Sequence, residues 1–356
     1  RSAAGYDLKV YDAEKTSNKF ITFYKKFGIY VFLAAVVIIF SIIAPNFLSV
    51  ANLINILRQV SIFGIVVIGV TMVMIGGGMD LSVGGIMAVV GMVMGYCMVN
   101  VGLPIPVAVI IGIALGVAFG AINGVVAIKL HIAPIIVTLA MMLFLAQAMP
   151  AEILVTLFPI GTLAMMLVLQ GVAYLITGGY PITGMPKAFL TVGQGYIGPV
   201  PIPVILFVIF IVFGWIVMNK TYLGRNIYAL GGNKEAARLA GINVNKLTVL
   251  VYSFAGFAAS IAAIIMVART NASQPGAGSS YAFDCMTAAC LGGVSIAGGE
   301  GKISGTVVGV IILGILDNGL VLMGVNSNFQ SVIKGLILLL AVAIDCYQGG
   351  QKRKKA

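Results

Sequence analysis

Asp80, Asn123, Asp284, Asp317 and Asn318 each stand inside or beside a long apolar run. Acids and carboxamides so placed face a bundle interior or a wet cavity, where they bond a polar solute or one another. Asp80 therefore has two readings. Either it or Ser82 caps a helix that begins near Val83, or it touches a substrate. Asn123 in "GAINGVV" and Asn318 in "ILDNGLV" occupy similar Gly-rich contexts, which hints at an internal repeat, and both read equally as interhelical hydrogen-bonding residues. Nothing in these patterns is catalytic. The stretch "GGEGKIS" at 298–304 resembles a phosphate loop, but Ile303 follows Lys302 and Ile296 stands where the first glycine is required. The single histidine, His131, cannot make a metal site alone, and no HExxH, GxSxG or paired-acid arrangement occurs. Cys97, Cys285, Cys290 and Cys346 form no CxxC pair and read as packing residues.

The elements that must position these groups follow from composition. Of 356 residues, 60% are hydrophobic and 9% charged, with a mean hydropathy of +1.11, whereas soluble domains carry roughly 25% charged residues. We therefore expect an all-α, polytopic transmembrane helical bundle of about ten spans, with an inverted internal repeat as a possibility. Candidate spans cover 28–44, 59–76, 83–99, 104–128, a stretch within 133–176, 202–219, 247–268, 284–297, 303–322 and 328–345. The segment "APNFLSVANLINILRQV" reads as a Pro-stopped turn and a separate short amphipathic helix. Forty-five glycines suit helices that approach through small residues.

The net charge of +11 is not spread as a nucleic-acid surface would require. Lysines and arginines concentrate before the first span, in the 220–246 loop and at 352–355, which marks those segments as cytoplasmic. The chain so divides into a cytoplasmic tail (1–27), a transmembrane domain (28–345) carrying the 220–246 loop, and a basic cytoplasmic tail (346–356). Residues 178–200, Gly- and Pro-punctuated and nearly uncharged, read as an external loop.

One stretch strains the count. The hexapeptide TLAMML occurs at 138–143 and again at 162–167 within one apolar run. If Lys129 and the 220–246 loop both face the cytoplasm, residues 133–176 cross an odd number of times, and three crossings at about 20 residues each do not fit. The sequence thus predicts one net crossing, with Glu152 in a turn near the headgroups. The alternative is a two-helix hairpin with Glu152 at its tip.

Residues 224–246, "GRNIYALGGNKEAARLAGINVNK", form the longest polar segment between spans, and Glu235 to Leu239 read as a short helix flanked by Gly232 and Gly241. The run Glu235, Ala236, Ala237, then Gly241 resembles the EAA-three-residues-Gly signature of the coupling loop in ABC-transporter permeases, with Arg238 inside it. Two further stretches, "GGGMDLSVGGIMAVVG" at 76–91 and "LGGVSIAGGEGKISGTVVGVIILGILDNG" at 291–319, look like the Gly-rich signatures of the ribose-type sugar permease family. The closing "GVNSNFQSVIKGLILLLAVAID" at 324–345 is similar again. The resemblance covers about 28–345 and departs from the family at an insertion over 138–161.

That resemblance implies a multi-pass subunit of a bacterial inner membrane, without an ATPase site or cofactor of its own. A cytoplasmic ABC ATPase would bind at Glu235 to Gly241 and use the ATP. A periplasmic or lipid-anchored sugar-binding protein would deliver a monosaccharide, ribose-like or related, to a path formed with a second permease copy. One alternative is an ion-coupled secondary sugar transporter using Asp80, Asp284 or Asp317. Another is an intramembrane enzyme, which lacks a recognisable catalytic set.

Overall fold

An apolar run in a bilayer becomes a helix because its backbone groups have no water to bond. The computed structural model describes residues 28–129 and 160–353. Its helices are α1 (Gly28–Ile43), α2 (Val50–Ile75), α3 (Val83–Val99), α4 (Ile105–Lys129), α5 (Ile160–Thr177), α6 (Lys187–Gln194) and α7 (Ile202–Lys220). They continue with α8 (Tyr222–Gly232), α9 (Lys234–Leu239), α10 (Val244–Thr270), α11 (Tyr281–Leu291), α12 (Ile303–Leu322) and α13 (Ser327–Arg353). Ten of these are apolar, and α2, α4, α7, α10 and α12 are long enough to cross a membrane alone. The bundle is thus the polytopic helical architecture expected from composition. The N-terminal tail, His131, Glu152 and the first TLAMML lie outside the described residues, whereas the second TLAMML opens α5.

Two boundaries differ from expectation. Residues 50–58 are not a separate amphipathic helix; they are the first turns of α2, capped by Ser49, whose Oγ accepts from Asn52 N. Their polar residues lowered the apparent hydropathy without ending the helix. Predicted span 284–297 is also shorter in fact, because α11 stops at Leu291 and its 11 residues rise only about 16 Å, half of a hydrocarbon core.

Helices run in both directions between two ends of the bundle, α4 antiparallel to α10 and α3 parallel to it. At one end, Gly299 N donates to Ile75 O at 2.8 Å, joining the end of α2 to the 292–302 loop, and α8 lies beside them. We call this the loop end. At the other end, the mouth, the start of α2 meets the end of α10, where Arg269 Nη2 donates to Asn55 Oδ1 at 2.7 Å. Two-residue strands β1 (Ile182–Thr183) and β4 (Ala272–Ser273) pair antiparallel there, as do β2 (Tyr196–Ile197) and β3 (Val200–Pro201).

The closest helix pair is α4 with α10, and glycine makes it possible. Gly112, Gly116, Gly120 and Gly124 recur every fourth residue, so they line one stripe of α4. Along that stripe they meet Ser260, Gly256, Tyr252 and Val249 in descending order. A Cβ at Gly124 would stand 2.7 Å from Val249 Cα, and one at Gly120 would stand 3.0 Å from Ser253 Cα. Backbones therefore touch directly, the small-residue packing that substitutes for a hydrophobic driving force inside lipid.

The order of long helix, Gly-containing turn and shorter helix occurs twice in opposite senses. Helix α2 runs from mouth to loop end, turns at 76–82 and continues as α3. Helix α10 runs from loop end to mouth, turns at 271–280 and continues as α11. The two turns converge, Gly84 lying against Gly278. Irregular backbone at such depth is tolerated only where protein or a wet cavity surrounds it.

Candidate functional site

Three groups of polar residues emerge, and the bundle holds them apart. The first is a knob at the loop end. Asn233 ends α8 and caps α9, its Oδ1 accepting from Glu235 N and Ala236 N at 3.0 Å each. This cap and the turn at Gly241, with a φ of 82°, confine α9 to six residues, beginning one residue before the Glu235–Leu239 helix read from the sequence. Ala237 is buried against the body, while Glu235, Ala236, Arg238 and Leu239 face outward. Leu239 is 89% exposed, which sequence reasoning overlooked. The Arg238–Glu235 ion pair, at 3.4 Å and open to solvent, contributes little rigidity.

What braces the knob is α8. Tyr228 Oη donates to Gly301 O at 2.8 Å, and burial raises that phenol above its ordinary value. Gly231 lies against Ile75 and Gly299. Between them opens a cleft of about 340 Å³ lined by Gly76, Gly77, Leu230, Asn233, Tyr252 and Ala297 among others. Helix α8 thus lies in contact with both α9 and the turn at 76–82, Gly77 standing against Gly231.

That turn contains the second group. Asp80 Oδ1 accepts from Ser82 N at 2.9 Å and from Ser82 Oγ at 2.5 Å, while Asn123 Nδ2 donates to Ser82 Oγ. Tyr252 Oη donates to Met79 O at 2.9 Å and accepts from Met79 N at 3.2 Å. The capping expectation is corrected here. Ser82 occupies the N-cap position of α3 without a side-chain bond to the helix, and Asp80 closes a two-residue turn onto Ser82. Asp80 and Asn123 are 2% and 1% exposed, and Asp80 Oδ2 and Asn123 Oδ1 have no partner. This knot holds three segments together, α2–α3, α4 and α10.

The third group lies on α11, α12 and α13. Lys334 Nζ stands 3.2 Å from Asp284 Oδ2 and 2.9 Å from Asp317 Oδ2. The side chains keep 14–21% exposure, so a charged triad remains partly open within an apolar bundle. Next to it Asn318 and Asn52 exchange two hydrogen bonds of 2.9 Å, tying α12 to α2. Asp284 and Asp317, separate in sequence, are thereby brought together, and Asn318 joins them. Asp80 and Asn123 form their own cluster. Cys285, next to Asp284 on α11, lies within electrostatic reach of Asp80. Lys334 was missed from sequence, though a lysine in "SVIKGLILLL" was itself a signal.

A family model described as branched-chain amino acid transport system / permease component matches residues 52–342. The chain is 42% identical over 317 residues to the ribose import permease protein RbsC of Escherichia coli (strain K12), covering 88% of this chain and 91% of that protein. It is 39% identical to the ribose import permease protein RbsC of Bacillus subtilis, covering 90% and 92%. It is 33% identical over 351 residues to the galactose/methyl galactoside import permease protein MglC of Escherichia coli (strain K12), covering 94% and 98%. No solved structure matches.

Proposed function

Because the chain belongs to the family of branched-chain amino acid transport system permease components, we propose that it is the membrane subunit of an ATP-binding cassette importer of a monosaccharide, ribose or a related sugar. The observation that carries this reading is the knob, a capped six-residue helix presented outside the bundle and anchored by one buried alanine. Ribose and galactoside import by the relatives named above supports the substrate class. Neither the family nor those relatives support the ion-coupled alternative.

In this reading the loop end faces the cytoplasm of a bacterial cell and the mouth faces outward. Each of two permease copies presents one knob to one ATPase subunit, and Leu239 and Ala236 seat in its cleft. Closure of the ATPase pair on ATP moves α9, and the movement passes through α8 to the Gly76–Ser82 turn and the Asp80–Asn123 knot. Charge inside a membrane faces a wet space, so the Asp284–Lys334–Asp317 triad lines the sugar path, where carboxylates accept hydrogen bonds from hydroxyls. Hydrogen bonds to charged groups are worth about 1.5–3 kcal/mol each. Such contacts orient a sugar weakly enough to release it.

Reconstitution in liposomes tests the reading. Labelled ribose should accumulate only when permease, ATPase subunit, ATP and sugar-binding protein are all present. Accumulation driven by an ion gradient, without ATPase or binding protein, would refute it.

A further inference from the structure

Among the described residues, the cations at the mouth have no acidic partner. Arg58, nine residues into α2, donates from Nη2 to Gln194 O at 3.0 Å, and its guanidinium lies 4.7 Å from the centre of the Tyr196 ring. Arg269, near the end of α10, is fixed by Asn55, while Gln194 Nε2 donates to Ala268 O at 3.2 Å and Arg269 O at 3.1 Å. The amphipathic helix α6 thus staples both arginines into one surface, and its exposed Lys187 adds a third cation. Arg58 and Arg269 are close enough to repel one another electrostatically. The ion pairs of the described residues leave both out, and Arg58 Nε is buried without any partner. Asp284 and Asp317, on α11 and α12, are already engaged by Lys334.

Half-buried like charges held beside one another are unfavourable unless an anion arrives from outside. Rigid guanidinium forks match carboxylates bidentately, better than mobile lysines would. We propose that this mouth is the docking surface for an acidic patch of the external sugar-binding protein, with Arg58 and Arg269 each receiving a carboxylate. The proposal rests on the importer reading above and adds the residues that reading lacks. It also places the docking contact on α2 and α10 as well as on the 178–200 loop.

The test uses permease assembled with its ATPase subunits in nanodiscs of neutral lipid and, in parallel, of lipid with an anionic fraction, with ribose-loaded binding protein as the probe. Stimulation of ATP hydrolysis is measured against binding-protein concentration for wild type, Arg58→Glu, Arg269→Glu and the double variant. Arg58→Gln and Arg269→Gln, which remove the charge and keep a polar side chain with N–H donors, guard against misfolding. Each reversal should raise the half-stimulating concentration on the order of tenfold, each glutamine less, with basal hydrolysis unchanged. Raising salt to about 0.5 M should weaken wild-type docking and improve that of the double variant, because it screens the repulsion between the introduced glutamates and the acidic patch. A double variant stimulated at wild-type concentrations overturns the proposal. So does an effect confined to discs containing anionic lipid, because headgroups would then be the occupant. If wild type is not stimulated at all, the importer reading itself fails, and this proposal falls with it.

Discussion

Gly120→Leu should prevent α4 from seating on α10 and destabilise the bundle by about 3 kcal/mol, at the upper end of what overpacking ordinarily costs. The reason is geometric. A Cβ at this position already meets Tyr252 O and comes within 3.0 Å of Ser253 Cα, so the obstruction is backbone and cannot rotate away. Moving α10 aside would also pull Tyr252 from Met79 and loosen the turn that carries Asp80. Thermal unfolding and monodispersity in detergent read this out. Gly171→Leu on α5 is the control, since a Cβ there meets nothing within 4 Å, and it should behave as wild type. A Gly120→Leu protein as stable as wild type would mean that α4 and α10 do not touch as described.

Lys334→Met should have the next largest effect. The two carboxylates it bridges, at 3.2 and 2.9 Å, would be left facing one another at membrane depth, and removing one partner of such a set costs about 3 kcal/mol. Adding Asp284→Asn and Asp317→Asn to the same chain should recover the stability, because no uncompensated charge remains. Sugar uptake should stay low in this triple variant if the triad lines the path. Recovery of stability and uptake together would make the triad a structural latch only.

The contrast between these residues shows what a sequence carries. Apolar runs announced the ten apolar helices, although only five of them are long enough to cross a membrane alone. The α9 knob was legible for a local reason, since its cap at Asn233 and its stop at Gly241 lie within a few residues of it. Asn52, Asn55 and Arg58 misled for the opposite reason. They reach Asn318, Arg269 and Gln194, partners more than a hundred residues away, and without those partners they read as the polar flank of a separate helix. The early end of α11 was hidden because "LGGVSIAG" remains apolar while it turns. The pairing of Asp284 with Asp317 through Lys334 is a purely tertiary fact, and so is the Ser82 bridge between Asp80 and Asn123. Composition placed each acid in the membrane and could not say which acid stood beside which.

The most direct measurement replaces the four cysteines, introduces Leu239→Cys at the tip of the knob, and labels intact cells and inverted vesicles with a membrane-impermeant maleimide. The account predicts labelling in inverted vesicles only, with protection when the ATPase subunit is bound. That outcome would also mean that residues 133–176 make an odd number of crossings. Labelling of intact cells would put α9 outside, beyond the reach of any cytoplasmic ATPase, and would contradict the account.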